Sequence, residues 1–142
     1  MSNGEKVLDF MKLYKQSHNI NIFDGQPATL HLLSLRQKLI NEEIDELNNA
    51  VAAFVVWSRS RTGKAQNLQR EAYIEIIDAL TDILYVTYGF FHAFGVNPDA
   101  AFDIVHKSNL SKLSDDGKPI FRADGKVLKG PNYQPPNFDE IA

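Results

Sequence analysis

The chain is predicted to be all-α, with four main helices in an antiparallel bundle and a C-terminal tail that forms a small hairpin or lid. Three observations predict this. Apolar residues recur at spacings of three and four in four separate segments, the period of a helix face rather than of a strand. The longest segment, from Pro27 to Ser58, contains no glycine or proline after its start. Pro27 and Pro98 each stand where a first helical turn begins, the one helical position that does not need their missing N–H.

In chain order, Val7, Leu8, Phe10, Met11 and Tyr14 define a first helix from Glu5 to about His18, with Lys6, Asp9, Lys12 and Lys15 on its other side. Asp24-Gly25 is a turn signal before Pro27. The second helix runs from Pro27 to about Ser58, and Leu30, Leu33, Ile40, Leu47, Val51, Phe54 and Val55 supply its apolar body. Arg59 to Asn67 is a basic polar connection. The third helix spans Leu68 to Phe94, with an aromatic stripe at Tyr85, Tyr88, Phe90, Phe91 and Phe94, and Gly95 closes it. The fourth runs from Pro98 to about Lys112. The tail, 113–142, is irregular and turn-rich, and the segments around Asp124-Gly125 suit a small hairpin.

At 142 residues the chain is expected to be a single domain with a real core. A net charge of −3 gives no broad basic surface for nucleic acid. The absence of cysteine excludes disulfides and thiolate metal sites. Neither a signal-peptide pattern nor a membrane-length apolar run is present, so a soluble cytoplasmic protein is expected.

Two acidic clusters organise the rest. On the second helix, Glu43 and Glu46 share a face and Glu42 lies beside Glu46. On the third, Glu75, Asp78 and Asp82 form one ladder that continues to Tyr85 and Gly89. The acids are set among apolar residues. Four residues beyond Glu46 stands Ala50, beyond Asp78 stands Asp82, and beyond Asp82 stands Val86, so no cation there pairs them off. Like charges one turn apart repel, and a bound cation is the simpler account than a solvated face. Two such clusters meeting across a helix pair make an oxygen-only pocket suited to Mg²⁺ or Mn²⁺. Arg36, one to two turns before the first cluster, either pairs with a carboxylate, reaches an anionic ligand, or is an ordinary surface arginine. Gly89 marks either a close backbone approach or a tolerated weak spot.

Several stretches, taken in order, resemble a known family. They are Leu35-Arg36-Gln37, the EExxE of Glu42-Glu43-Ile44-Asp45-Glu46, Asp82-Ile83-Leu84-Tyr85, Val105 to Lys112 and Asp124 to Lys129. The pattern is similar to the all-α nucleoside triphosphate pyrophosphatases, the MazG-like and dimeric dUTPase-like proteins, with phosphoribosyl-ATP pyrophosphohydrolase as a cousin. That resemblance implies Mg²⁺-dependent cleavage of a nucleoside triphosphate to the monophosphate and pyrophosphate, by a homo-oligomer. It implies that Glu42, Glu43 and Glu46 match the first motif and Asp82 the Asp of the second, ExxD. Ala79 stands where that motif has Glu, with Asp78 one residue earlier and Glu75 a turn upstream. Glu43, Glu46, Asp78 and Asp82 are then the expected metal ligands, with Glu75 outside them or at a second metal. Glu42 or Asp45 positions the water. Lys107, Lys112 and Lys129 neutralise pyrophosphate, Asn109 contacts the nucleoside, and Tyr85 and Tyr133 stack or pack. A di-iron bundle needs two acid-xx-His motifs with Glu, and the chain offers one with Asp, Asp103 to His106. A non-catalytic helical interaction module is the other rival, but it has no use for unpaired acids on two helices.

Overall fold

The computed structural model describes residues 1–142. It is all-helical, in the order α1 (Asn3–Leu13), α2 (Pro27–Arg59), α3 (Ala65–Ala93) and α4 (Pro98–Leu110). The chain divides into two units, residues 3–95 with Met1, and residues 96–142 with Ser2. No helix is long and apolar enough to cross a membrane.

In the first unit, α2 and α3 pack along each other as an antiparallel hairpin and α1 packs on α3. The packing seam follows a seven-residue repeat on both helices. On α3 it is Ala65, Ala72, Ala79, Val86 and Ala93, of which the four alanines are buried. On α2 it is Thr29, Arg36, Glu43, Ala50 and Trp57, of which Thr29, Arg36 and Ala50 are buried. A heptad seam is the geometry of shallow-angle helix pairs, and small residues on one side let the backbones approach. The apolar body expected for α2 is not what this seam uses. Leu30, Val51 and Val55 are exposed, while Leu33, Ile40, Leu47 and Phe54 are half-buried. Alanines fill the seam, and the larger side chains flank it.

α1 is shorter than expected, because Lys15 takes a left-handed φ of 54° beyond Leu13. The chain then zips onto the end of α3 through Asn19 N–H to His92 O and Ile20 N–H to Ala93 O, both 2.9 Å. The buried His92 ring donates from Nε2 to the Gly4 carbonyl at 2.8 Å. Val7, Met11 and Ala93 form the core at this end, with Leu32, Tyr88 and Phe94 packed against it. Asp24 prepares α2 by accepting from Gln26 N–H and from the Thr29 hydroxyl, each at 2.8 Å.

In the second unit, Asn97 caps α4 by accepting from the N–H groups of Asp99 and Ala100 at 3.0 and 3.2 Å. α4 ends at Leu110, two residues before the expected Lys112. The tail makes one antiparallel bridge, Phe121 with Val127, closed by Leu128 N–H to Ile120 O and Arg122 N–H to Lys126 O at 2.8 Å. Gly125 turns it at φ 85°. This is the small hairpin the turn signals predicted.

Candidate active site on the seam between α2 and α3

Glu43 occupies a seam position of α2 that would ordinarily be apolar. Its Oε2 is buried and has no hydrogen-bond partner. Burial raises its pKa above the usual carboxylate value, and the charges of Glu46, Asp82, Glu42 and Asp78 raise it further. Acids from both helices therefore lie within electrostatic reach of one carboxylate. Glu75 is exposed and is not among the charges that raise it. Ala79, where the family motif has an acid, is buried in the seam at 3% exposure.

The carboxylates stand apart, and no three of them close around a common point. Glu42 turns toward Lys38, 3.7 Å away in a solvent-exposed i, i+4 pair. That partner lies one turn before Glu42, whereas the positions one turn after the acids carry no cation. The donor set suits a hard divalent cation: it is all oxygen, it spans two helices, and it includes a buried oxygen that nothing in the chain satisfies.

Seven residues back along α2 and seven forward along α3, the Glu43–Asp82 level becomes the Arg36–Gly89 level, as an antiparallel pair requires. Arg36 is not a surface arginine; it is buried at 7% exposure. Burial lowers its pKa, and no neighbouring charge opposes the shift. A Cβ on Gly89 would come within 2.9 Å of Arg36 NH1, so this glycine is the close approach. Arg36 NH2 donates to Gln16 Oε1 at 3.3 Å. A cavity of about 110 Å³ adjoins them, walled also by Phe10, Met11 and Tyr85. The Tyr85 ring meets Phe10 edge-on, centroids 5.6 Å apart. Gln16 carried no sequence signal. Arg36 carried one in its seven-residue spacing from Thr29 and Glu43.

The second unit gathers four other expected residues. Lys112 Nζ donates to Asn109 Oδ1 at 2.8 Å. Lys129 Nζ lies 4.5 Å from the centre of the Tyr133 ring. Gly130 N–H donates to Lys112 O at 2.8 Å and joins the two pairs. Lys107 stands apart from them, at a cavity of about 230 Å³ with Ser108, Ser111 and Gln134. Here the buried Ser108 hydroxyl donates to Gln134 O at 2.8 Å, and Gln134 N–H donates to Ser111 Oγ at 2.9 Å.

Paired acids on facing helices with an unsatisfied carboxylate can hold a divalent ion, and an ion so held can bind phosphate. An uncharacterized protein of Acanthamoeba polyphaga mimivirus is 37% identical over 132 residues, 90% of this chain, and the chain spans 42% of that relative's length. A crystal structure from Exiguobacterium sp. 255-15, provisionally named an NTP pyrophosphohydrolase, shares 26% identity. It covers 96% of this chain and 89% of its own, at a TM-score of 0.46, a superposition too loose to add to the fold. Residues 5–109, from α1 through nearly all of α4, match the phosphoribosyl-ATP pyrophosphohydrolase family. The chain belongs to that family of hydrolases.

Proposed function

We propose that the chain is a Mg²⁺-dependent nucleoside triphosphate pyrophosphohydrolase that converts a (deoxy)nucleoside triphosphate and water to the monophosphate and pyrophosphate, as nucleotide-pool house-cleaning. The observation that carries this reading is the buried, unpartnered Oε2 of Glu43, facing acids from both helices. Glu43, Glu46, Asp78 and Asp82 would hold the ion, with Glu75 outside them. Mn²⁺ fits the same oxygen set. When bound, the ion neutralises phosphate oxygens and lowers the pKa of a bound water. Glu42, exposed and held only by Lys38, is free to orient the attacking water and take its proton, with Asp45 as the alternative. For the second unit, the same reading assigns Lys107, Lys112 and Lys129 to pyrophosphate, and Asn109 and Tyr133 to the nucleoside, on residue type alone.

A homodimer or larger assembly belongs to the proposal. Val51, Val55 and Val56 of α2, and Ile74, Ile77 and Leu84 of α3, are all at least 39% exposed. A second copy of the hairpin would cover such faces.

The test is a panel of triphosphates assayed for pyrophosphate release with and without Mg²⁺, on wild type and Glu46→Gln. Release should require Mg²⁺ and should fall on the order of 100-fold in the folded variant. Wild-type release from Glu46→Gln would remove the metal assignment.

A further inference from the structure

The seam that carries the acids also carries a group that the chemistry above leaves idle. Arg36 is 7% exposed, its Nε is buried without a partner, and its one hydrogen bond is the 3.3 Å contact to Gln16. It forms neither of the chain's two salt bridges. A guanidinium has five donors and cannot shed its charge in a protein, so burying it with one weak bond is costly. Buried donors without acceptors point to a missing ligand or water. The fold makes room for this arrangement, because α3 gives up a side chain at Gly89 to admit the guanidinium.

The walls of the adjoining cavity narrow the choice of ligand. Apart from Arg36 and Gln16 they are apolar or aromatic, including Phe10, Met11 and Tyr85. Apolar walls with a few placed donors suit an organic ring better than a bare anion. The volume is about 110 Å³. A dry cavity of about 150 Å³ holds one benzene, so this one takes the edge of a single ring and not a fused pair. Its place also fits. Arg36 lies seven residues from Glu43, about 10 Å along the helix axis. That is the scale separating the α-phosphate of a nucleotide from the far edge of its base.

We propose that the Arg36–Gln16–Tyr85 cavity is the base subsite of the nucleotide site, taking one pyrimidine ring and donating from Arg36 to a ring carbonyl oxygen. The assignment rests on the hydrolase reading and deepens it: pyrimidine triphosphates are the preferred substrates, and the bulkier fused ring of a purine is accommodated less well. Arginine has no acceptor, so it reads carbonyl oxygens, while the Gln16 amide has both a donor and an acceptor end.

Two measurements on the full chain test this. The first is kcat/KM with Mg²⁺ for dUTP, dCTP, dATP and dGTP, on wild type and on Arg36→Met, which keeps volume and removes the donors. Wild type should favour the pyrimidines, and Arg36→Met should cut the pyrimidine-to-purine ratio about 10- to 100-fold, the worth of a hydrogen bond to a charged group. The second follows the Gln16 side-chain amide resonance as dUMP, dAMP or inorganic pyrophosphate is added. The resonance should move with dUMP alone. Equal efficiency on all four triphosphates overturns the assignment. So does an amide that moves as far with pyrophosphate as with dUMP, which makes the cavity an anion site, or one that moves with nothing, which makes it a water pocket. If no triphosphate is cleaved, the hydrolase reading falls, and the amide titration alone still decides what the cavity binds.

Discussion

Glu43 and Arg36 are two charged side chains placed where a helix pair ordinarily puts apolar ones, and each leads to a prediction. Glu43 has a raised pKa in the folded protein, so between its ordinary and its raised value the folded state binds more protons than the unfolded state. Without divalent ions, that contribution to stability is greatest at the low end of this window and falls as pH rises through it. Glu43→Gln should remove the fall, raise metal-free stability above the window and abolish Mg²⁺-dependent activity, as thermal melts in EDTA and a pyrophosphate assay would show. Arg36→Met exchanges an unpaired buried cation for an apolar side chain of similar length. Such exchanges are neutral or stabilising, and an upward shift in melting temperature of about 2–4 °C is expected. A drop in melting temperature would mean that the guanidinium is satisfied in the folded protein. The acids were legible in the sequence because their spacing is anomalous on both helices. The burial of Arg36 was not, because a lone arginine on a long helix is ordinarily solvated; only its seven-residue step from Glu43 distinguishes it.

At the scale of elements, helix existence was legible and helix packing was not. Pro27, Gly95 and Pro98 placed the boundaries of α2, α3 and α4 to within a few residues. Reading the large aliphatic residues of α2 as its buried face failed because the seam is built from Ala50 and the α3 alanines, whose small size draws little notice in an apolar pattern. Tail packing was equally silent. A Cβ on Gly130 would lie 2.7 Å from Lys112 O and closer still to Leu113 O, both rigid backbone atoms. Gly130→Ala should therefore loosen the tail where it binds the end of α4. Amide exchange at Leu128 and Gln134 should accelerate about 10-fold or more, with the α2 and α3 amides unchanged. Unchanged exchange at those two amides would show that the backbone shifts aside without cost.

For the whole molecule, the exposed aliphatic side chains of α2 and α3 are the feature a single copy leaves unresolved. Leu84 is 58% exposed and Val56 61%. With a second copy covering these faces, sedimentation should give at least twice the 16.0 kDa chain mass. Leu84→Glu, which sets a charge on the outer face of α3, should shift the protein toward the monomer. A wild-type monomer at micromolar concentration would leave those faces for some other partner.

The seven-residue step between Arg36 and Glu43 makes α2 a ruler. Deleting one residue between them would turn everything beyond it by about 100°, taking Glu43 out of the seam while Arg36 stays. Inserting seven would keep both facing α3 but would double the interval of about 10 Å that separates them. Length variants of this segment thus divide into those that break the seam and those that change only the span it measures.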